Sequence, residues 1–144
     1  MRMLAALTSL SALLCPLSSL SVHAQGALSA PSVVRGYFAA LEHKDFHRAL
    51  SLTAGAAQER TALMVGTLNR EAAQHHAEVE LHVTKLEVAN PAPAPNGTAP
   101  VQVSFDIDVI GKKWIFRKVA RRLTGQAQFY VAADQIVAID GRIW

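Results

Sequence analysis

The sequence is poor in cysteine, in aromatic rings and in charge of either sign. Its 144 residues hold one cysteine, Cys15, so no intrachain disulfide can form. That also excludes a zinc finger and an iron–sulfur centre, which need several thiolates. Aromatic residues make up 6% and charged residues 17%, and the formal net charge is only +3. So even a balance is no nucleic-acid footprint by itself, and nucleic acid is disfavoured as a partner. There is no Gly-rich phosphate loop, no serine-nucleophile elbow and no internal repeat. No motif implies a cofactor or a metal.

What is present is apolar: 51% of the chain is hydrophobic, which excludes a disordered polymer. The excess is uneven. Residues 1–24 carry one charged side chain, Arg2, followed by a run rich in Leu, Ala and Ser. Val22 and Ala24 stand at the −3 and −1 positions of a small-residue cleavage site before Gln25. The pattern predicts a secretory signal peptide over 1–24 and a secreted or periplasmic protein. A membrane anchor is the competing reading. Thr8, Ser9, Ser11, Pro16, Ser18 and Ser19 interrupt the run, no charged stop follows, and a spanning helix wants about 20 predominantly apolar residues. Lipid attachment at Cys15 is disfavoured by the bulky Leu14. Cleavage leaves residues 25–144 as one domain, with no cysteine and no transmembrane segment. The 14 Lys and Arg include Arg2, so 13 remain against 11 Asp and Glu.

Helical signals come first. Pro31 suits a first helical turn, and Val34, Tyr37, Phe38 and Leu41 make one apolar stripe. Asp45 reads as the cap of a short second helix with Phe46, Ala49 and Leu50 inward. Ala54-Gly55 breaks it, and a third helix is expected over about residues 56–77 with Met64, Leu68 and Ala72 on one face. Strand signals follow. Val79, Leu81 and Val83 alternate with polar residues, and the parity then switches to Leu86 and Val88, which predicts a bulge near Thr84-Lys85. A Pro-rich loop spans 90–97. Val101, Val103, Phe105, Ile107 and Val109 then alternate with Gln102, Ser104, Asp106 and Asp108. The first set is expected to be core and the second wet. Gly111-Lys112 reads as a two-residue turn, with a return strand over 113–123, a bend at Gly125 and a last hairpin around Asp134-Gln135. Helices followed by an antiparallel meander of four to five strands make an α+β domain.

The segments "APSVVRGYFAALEHKDFHRALSLT" and "FYVAADQIVAIDGRIW" resemble the opening helices and closing hairpin of the nuclear transport factor two-like superfamily, the cystatin-like α+β cone. The resemblance spans most of residues 31–144 and is one of element pattern. It implies a curved antiparallel sheet wrapping the helices, with a mouth that holds a small ligand. The third helix here precedes every strand, unlike the best-known enzyme members, and the chain looks closer to small exported members without assigned activity. Enzymes of the superfamily use an Asp base with a Tyr, or an Asp with a His; neither set is matched here residue by residue. Tyr37 and Tyr130 both lie in runs that read as core.

His43 and His47 are spaced i, i+4, but Asp45 between them caps a new helix, and Lys44 and Arg48 repel a cation. His75-His76 suits a helix C-terminus, where a cation complements the dipole. His82 shares its strand face with Glu80 and reads as a solvated neighbour. Asp106 and Asp108 offer paired carboxylates. With a turn at Gly111-Lys112, Asp106 falls opposite Arg117, and an ion pair explains it without catalysis. Asn96-Gly97-Thr98 fits an N-glycosylation acceptor.

The strongest bias is the run Lys112, Lys113, Arg117, Lys118, Arg121 and Arg122, six cations in eleven residues with no acid among them. Strict alternation sets Lys113, Arg117 and Arg121 on one face and Lys112, Lys118 and Arg122 on the other. Like charges that discourage edge pairing explain the run without a ligand. As a site, Lys113, Arg117, Arg121 and Arg122 would bind a small anionic ligand or an anionic envelope surface. The function expected is an exported, non-catalytic small-ligand-binding or interaction module. The alternative is an isomerase, dehydratase or cyclase acting on a small hydrophobic substrate in the cone. An interior filled by Tyr37, Phe38, Trp114 and Phe129 would favour the module; a polar group converging on an apolar cavity would favour the enzyme.

Overall fold

The computed structural model describes residues 28–89 and 96–142. The expected signal peptide, most of the 90–97 loop and Trp144 lie outside the described residues. Three helices come first, α1 (Ala30–Glu42), α2 (Phe46–Ser51) and α3 (Gly55–His75). Four strands follow, β1 (Glu78–Val88), β2 (Ala99–Lys113), β3 (Phe116–Ala132) and β4 (Gln135–Gly141). They form one antiparallel sheet in the order β1-β2-β3-β4. The class is α+β.

Local chemistry sets the helix ends. The Ser29 hydroxyl accepts from the Ser32 N–H at the start of α1, and Pro31 sits in its first turn. The Asp45 carboxylate accepts from the Arg48 N–H at 3.0 Å, which makes it the cap of α2. His76 closes α3 in the left-handed conformation at φ 47°. The α1 stripe Val34, Tyr37, Phe38 and Leu41 is buried, with Val33 and Ala40 beside it. It packs on the sheet face made by Val101, Val103, Phe105, Ile107, Val109 and Phe129. Four rings interlock there. Phe38 lies 5.8 Å from Phe105 and 5.6 Å from Phe129 between centroids, and Tyr37 meets Phe129 edge-on at 6.0 Å.

Both outer strands have edge groups bonded by the helices or the segment between them. On β1 the Glu42 carboxylate accepts from the Val83 N–H at 3.2 Å, next to the bulge between Val83 and Lys85. On β4, Ile136 bridges Thr53 through Ala54 N–H to Ile136 O and Ile136 N–H to Leu52 O, both 2.8 Å. Arg60 of α3 adds bonds to the carbonyls of Ile139 and Gly141. The β4 edge, with groups of Ile136, Ile139 and Gly141 occupied, has less left to offer another chain than a bare strand.

The β2–β3 hairpin departs from the sequence expectation. Gly111 and Lys112 stay in the strand, because β1 pairs with β2 as far as Glu78 opposite Lys112. The turn is Trp114-Ile115, with Trp114 at φ 58°. Asp106 therefore faces Thr124, and Asp108 faces Arg122. The expected Asp106–Arg117 pair is replaced by Arg117 reaching Glu80 at 2.6 Å. A register shift follows the Ile110–Val119 pair, and Ala120 is the unpaired residue. It moves Arg117 onto the outer face with Lys112 and Arg122, and Lys118 onto the helix-side face with Lys113 and Arg121. β3 also runs through Gly125 without a break, and the last turn is Ala133-Asp134, both at positive φ.

Candidate functional site

Where α1 meets β2 and β3 the interior is filled by rings, while a recess of about 220 Å³ opens toward β1 between Leu41, Phe46, Leu68, Val79 and Leu81. Tyr37, Phe38, Phe105 and Phe129 are each at most 2% exposed. The one hydroxyl among them is matched: Thr61 donates to the Ala57 carbonyl at 2.9 Å and stands 3.0 Å from the Tyr37 hydroxyl. Burial pushes the Tyr37 phenol above its ordinary pKa, opposed by the Thr61 bond and the Arg60 charge. The group stays protonated near neutrality, and its hydroxyl is engaged with Thr61. Among the described residues, no buried side-chain polar atom lacks a partner. Trp114, expected to help fill this interior, instead stands at the hairpin tip. Tyr130 is half-buried rather than core.

The outer sheet face carries a polar cluster. Arg122 grips Asp108 with two bonds, Nε to Oδ1 at 2.6 Å and Nη2 to Oδ2 at 3.0 Å. This holds the Asp108 carboxyl below the usual carboxylate range, the Arg122 hydrogen bond being the largest cause. Asp108 was expected to be wet, yet it is 7% exposed. Its strand is central, and the longer side chains of the flanking strands close over a short carboxylate. His82 lies next to Asp108 in the register, and its Nδ1 is 3.0 Å from Glu42 Oε1. Asp108, Glu80 and Glu42 are each held by a cationic or histidine side chain, while Asp106 faces Thr124 on the same side of the sheet. Among the described residues, no group of three or more His, Cys, Asp or Glu side chains is placed to hold a metal.

The recess with ligand character lies between α3 and β3. It encloses about 240 Å³ and is lined by Arg60, Leu63, Met64, Thr67, Leu68 and Arg121. Met64 and Leu68 are buried at its floor, while Leu63 is 74% exposed at its rim. Arg60 is anchored by the β4 carbonyls, which bond it without neutralising it. Arg121 stands 4.0 Å from Glu71 and keeps about half its side chain in water. Two guanidinium groups over an apolar floor suit a small molecule with an alkyl or aryl body and an anionic head.

The four expected ligand residues are thus divided. Arg121 lines this groove. Lys113 lines a separate opening with His76 and Trp114. Arg117 and Arg122 lie on the outer face, each held by a carboxylate. Arg60 and Leu63 escaped the sequence reading. The available signal was Leu63 beside Met64, which makes the apolar face of α3 wider than a single buried stripe needs.

No family model matches the chain, and no curated protein matches it. Among solved structures it resembles a protein from Pseudomonas putida described as a "putative polyketide cyclase", with a TM-score of 0.50. That alignment covers 78% of this chain and 90% of the other at 16% identity. The likeness is one of fold alone: helices followed by an antiparallel sheet.

Proposed function

We propose that this chain is an exported, non-catalytic module that binds a small amphiphile with an anionic head in the groove between α3 and β3. The observation that carries it is the contrast between two regions. The interior between α1 and strands β2 and β3 is packed with rings whose one hydroxyl is already bonded. The groove instead pairs a buried apolar floor with two cationic groups. Its volume falls below the about 300–1,000 Å³ of drug-sized ligand sites, which bounds the ligand to a short chain or a single ring system.

The test is calorimetric titration with an alkyl phosphate, an alkyl carboxylate and the matching neutral alcohol. Binding of the anions over the alcohol is expected, weakened by Arg121→Gln and by Leu63→Ser with the melting temperature unchanged. Equal binding by both variants would sink the assignment. A second reading, a cyclase-type enzyme acting on a small hydrophobic substrate, is favoured by the description of the Pseudomonas putida protein. Turnover of such a substrate would replace the binding reading. Export is tested by intact mass: recovery of the chain beginning at Gln25 supports it, and retention of residues 1–24 in exported protein refutes it.

A further inference from the structure

The β2–β3 hairpin carries more apolar surface into water than the fold requires. Every residue from 113 to 122 is exposed, on both faces of the hairpin. The same two strands are core at their other ends. At the turn, Trp114, Ile115 and Phe116 are 87%, 88% and 74% exposed, and Val119 is nearly half exposed on the arm behind them. None of the three tip residues joins the hydrophobic core or its partly buried fringe. Single exposed apolar residues are ordinary, but three consecutive large ones at a projecting turn are not.

Charge surrounds this tip. Lys112, Lys113 and Lys118 lie within four residues of it and form no ion pair among the described residues. Arg117, Arg121 and Arg122 stand behind them, near Glu80, Glu71 and Asp108. We propose that the hairpin tip docks the protein on an anionic lipid bilayer. Trp114, Ile115 and Phe116 seat at the boundary between headgroups and acyl chains, and the three lysines lie over anionic headgroups. Indole and phenyl rings favour that boundary, and basic residues beside it gain from the negative surface potential. Neither signal is strong alone, and reversible anchoring by two weak signals is the general pattern.

Charge complementarity selects the bilayer over other occupants. A second copy meeting tip to tip would set three unpaired lysines against three. A soluble polyanion would use the lysines and leave the apolar tip in water. A single nucleic-acid strand would stack on the rings but has no use for Ile115 between them. The proposal is independent of the groove ligand, because no tip residue lines the groove.

The chain has two tryptophans, Trp114 and Trp144. With Trp144→Phe, the emission of Trp114 alone reports its surroundings. The protein is purified in the form the expressing cell yields and mixed with vesicles of equal parts phosphatidylglycerol and phosphatidylcholine. A blue shift and quenching by bromine-labelled lipid are expected, lost at high salt and absent with phosphatidylcholine alone. Changing Lys112, Lys113 and Lys118 together to Gln should weaken partitioning about a hundredfold. Ile115→Ser should weaken it with the lysines intact, while circular dichroism and the groove titration stay unchanged. Vesicle sedimentation of otherwise wild-type protein against these variants gives the same comparison should Trp144→Phe fail to fold. Unaltered Trp114 emission on vesicles overturns the proposal, as does equal sedimentation of wild type and variants. An equal emission change with oligothymidylate or on self-association would also overturn it, by assigning the tip to a strand or to a second copy.

Discussion

Phe105 and Gly125 face each other across β2 and β3, and their contact makes a sharp test of how the core is built. The Phe105 ring is 2% exposed and packs against Phe38 on one side. On the other it covers Gly125: a Cβ placed there would stand 3.1 Å from Phe105 Cζ and 3.2 Å from the Arg142 carbonyl oxygen. Phe105→Ala removes the ring and leaves a void, with an expected loss of about 3–5 kcal/mol. With a urea slope of about 1–1.5 kcal/mol per molar, the midpoint should fall by about 2–5 M. That is a large part of the roughly 5–15 kcal/mol total of a typical domain. Gly125→Ala alone forces the ring or the chain to move and should cost about 1–3 kcal/mol. In the double variant the new methyl enters space the ring has left. The two losses should therefore fall short of additivity by about 1 kcal/mol or more. Trp114→Ala is the control, since an exposed ring should change stability by less than about 0.5 kcal/mol. Urea titration of the four proteins measures all of this. Additive losses, or a Trp114 effect as large as that of Phe105, would refute the packing described.

Other outcomes follow from single contacts. Thr61→Val leaves the Tyr37 hydroxyl buried without its partner and should cost about 1–3 kcal/mol by urea titration. Gly141→Ala should lower the melting temperature more than alanine at Gly66. At Gly141 φ is +116° and an added Cβ would lie 2.9 Å from the Gln126 carbonyl oxygen, whereas at Gly66 nothing stands within 4 Å. Asp108 gives a pH dependence. Its folded carboxyl is held below the ordinary value, so its contribution is complete above the unfolded pKa of about 4 and is lost as pH falls through the folded value. Asp108→Asn should flatten the loss of urea midpoint below about pH 4, whereas Asp106→Asn should cost under about 1 kcal/mol at neutral pH.

Much of the scaffold is legible in local patterns. The period-two alternation of Val101 to Val109 identifies the buried face, because a slip of one residue would carry all five to water. The parity switch after Val83 marks the β1 bulge, and Asp45 marks the start of α2, since each is a feature of a few neighbouring residues. The second bulge, at Ala120, leaves no such mark. Its strand is exposed on both faces, so no apolar alternation records the change of parity.

The amino-acid order by itself determines the α+β class, the core face of β2 and the density of cations near the hairpin, because these depend on spacing along the chain. Tertiary structure decides where the hairpin turns. Pairing with β1 as far as Lys112 keeps Gly111 in the strand, although a free Gly-Lys pair would serve as a turn. That long-range pairing carries Trp114 out to the tip, matches Asp108 with Arg122, and leaves Arg121 beside Arg60 in the groove. Each of these depends on which strand and helix lie alongside, and no local pattern holds that information.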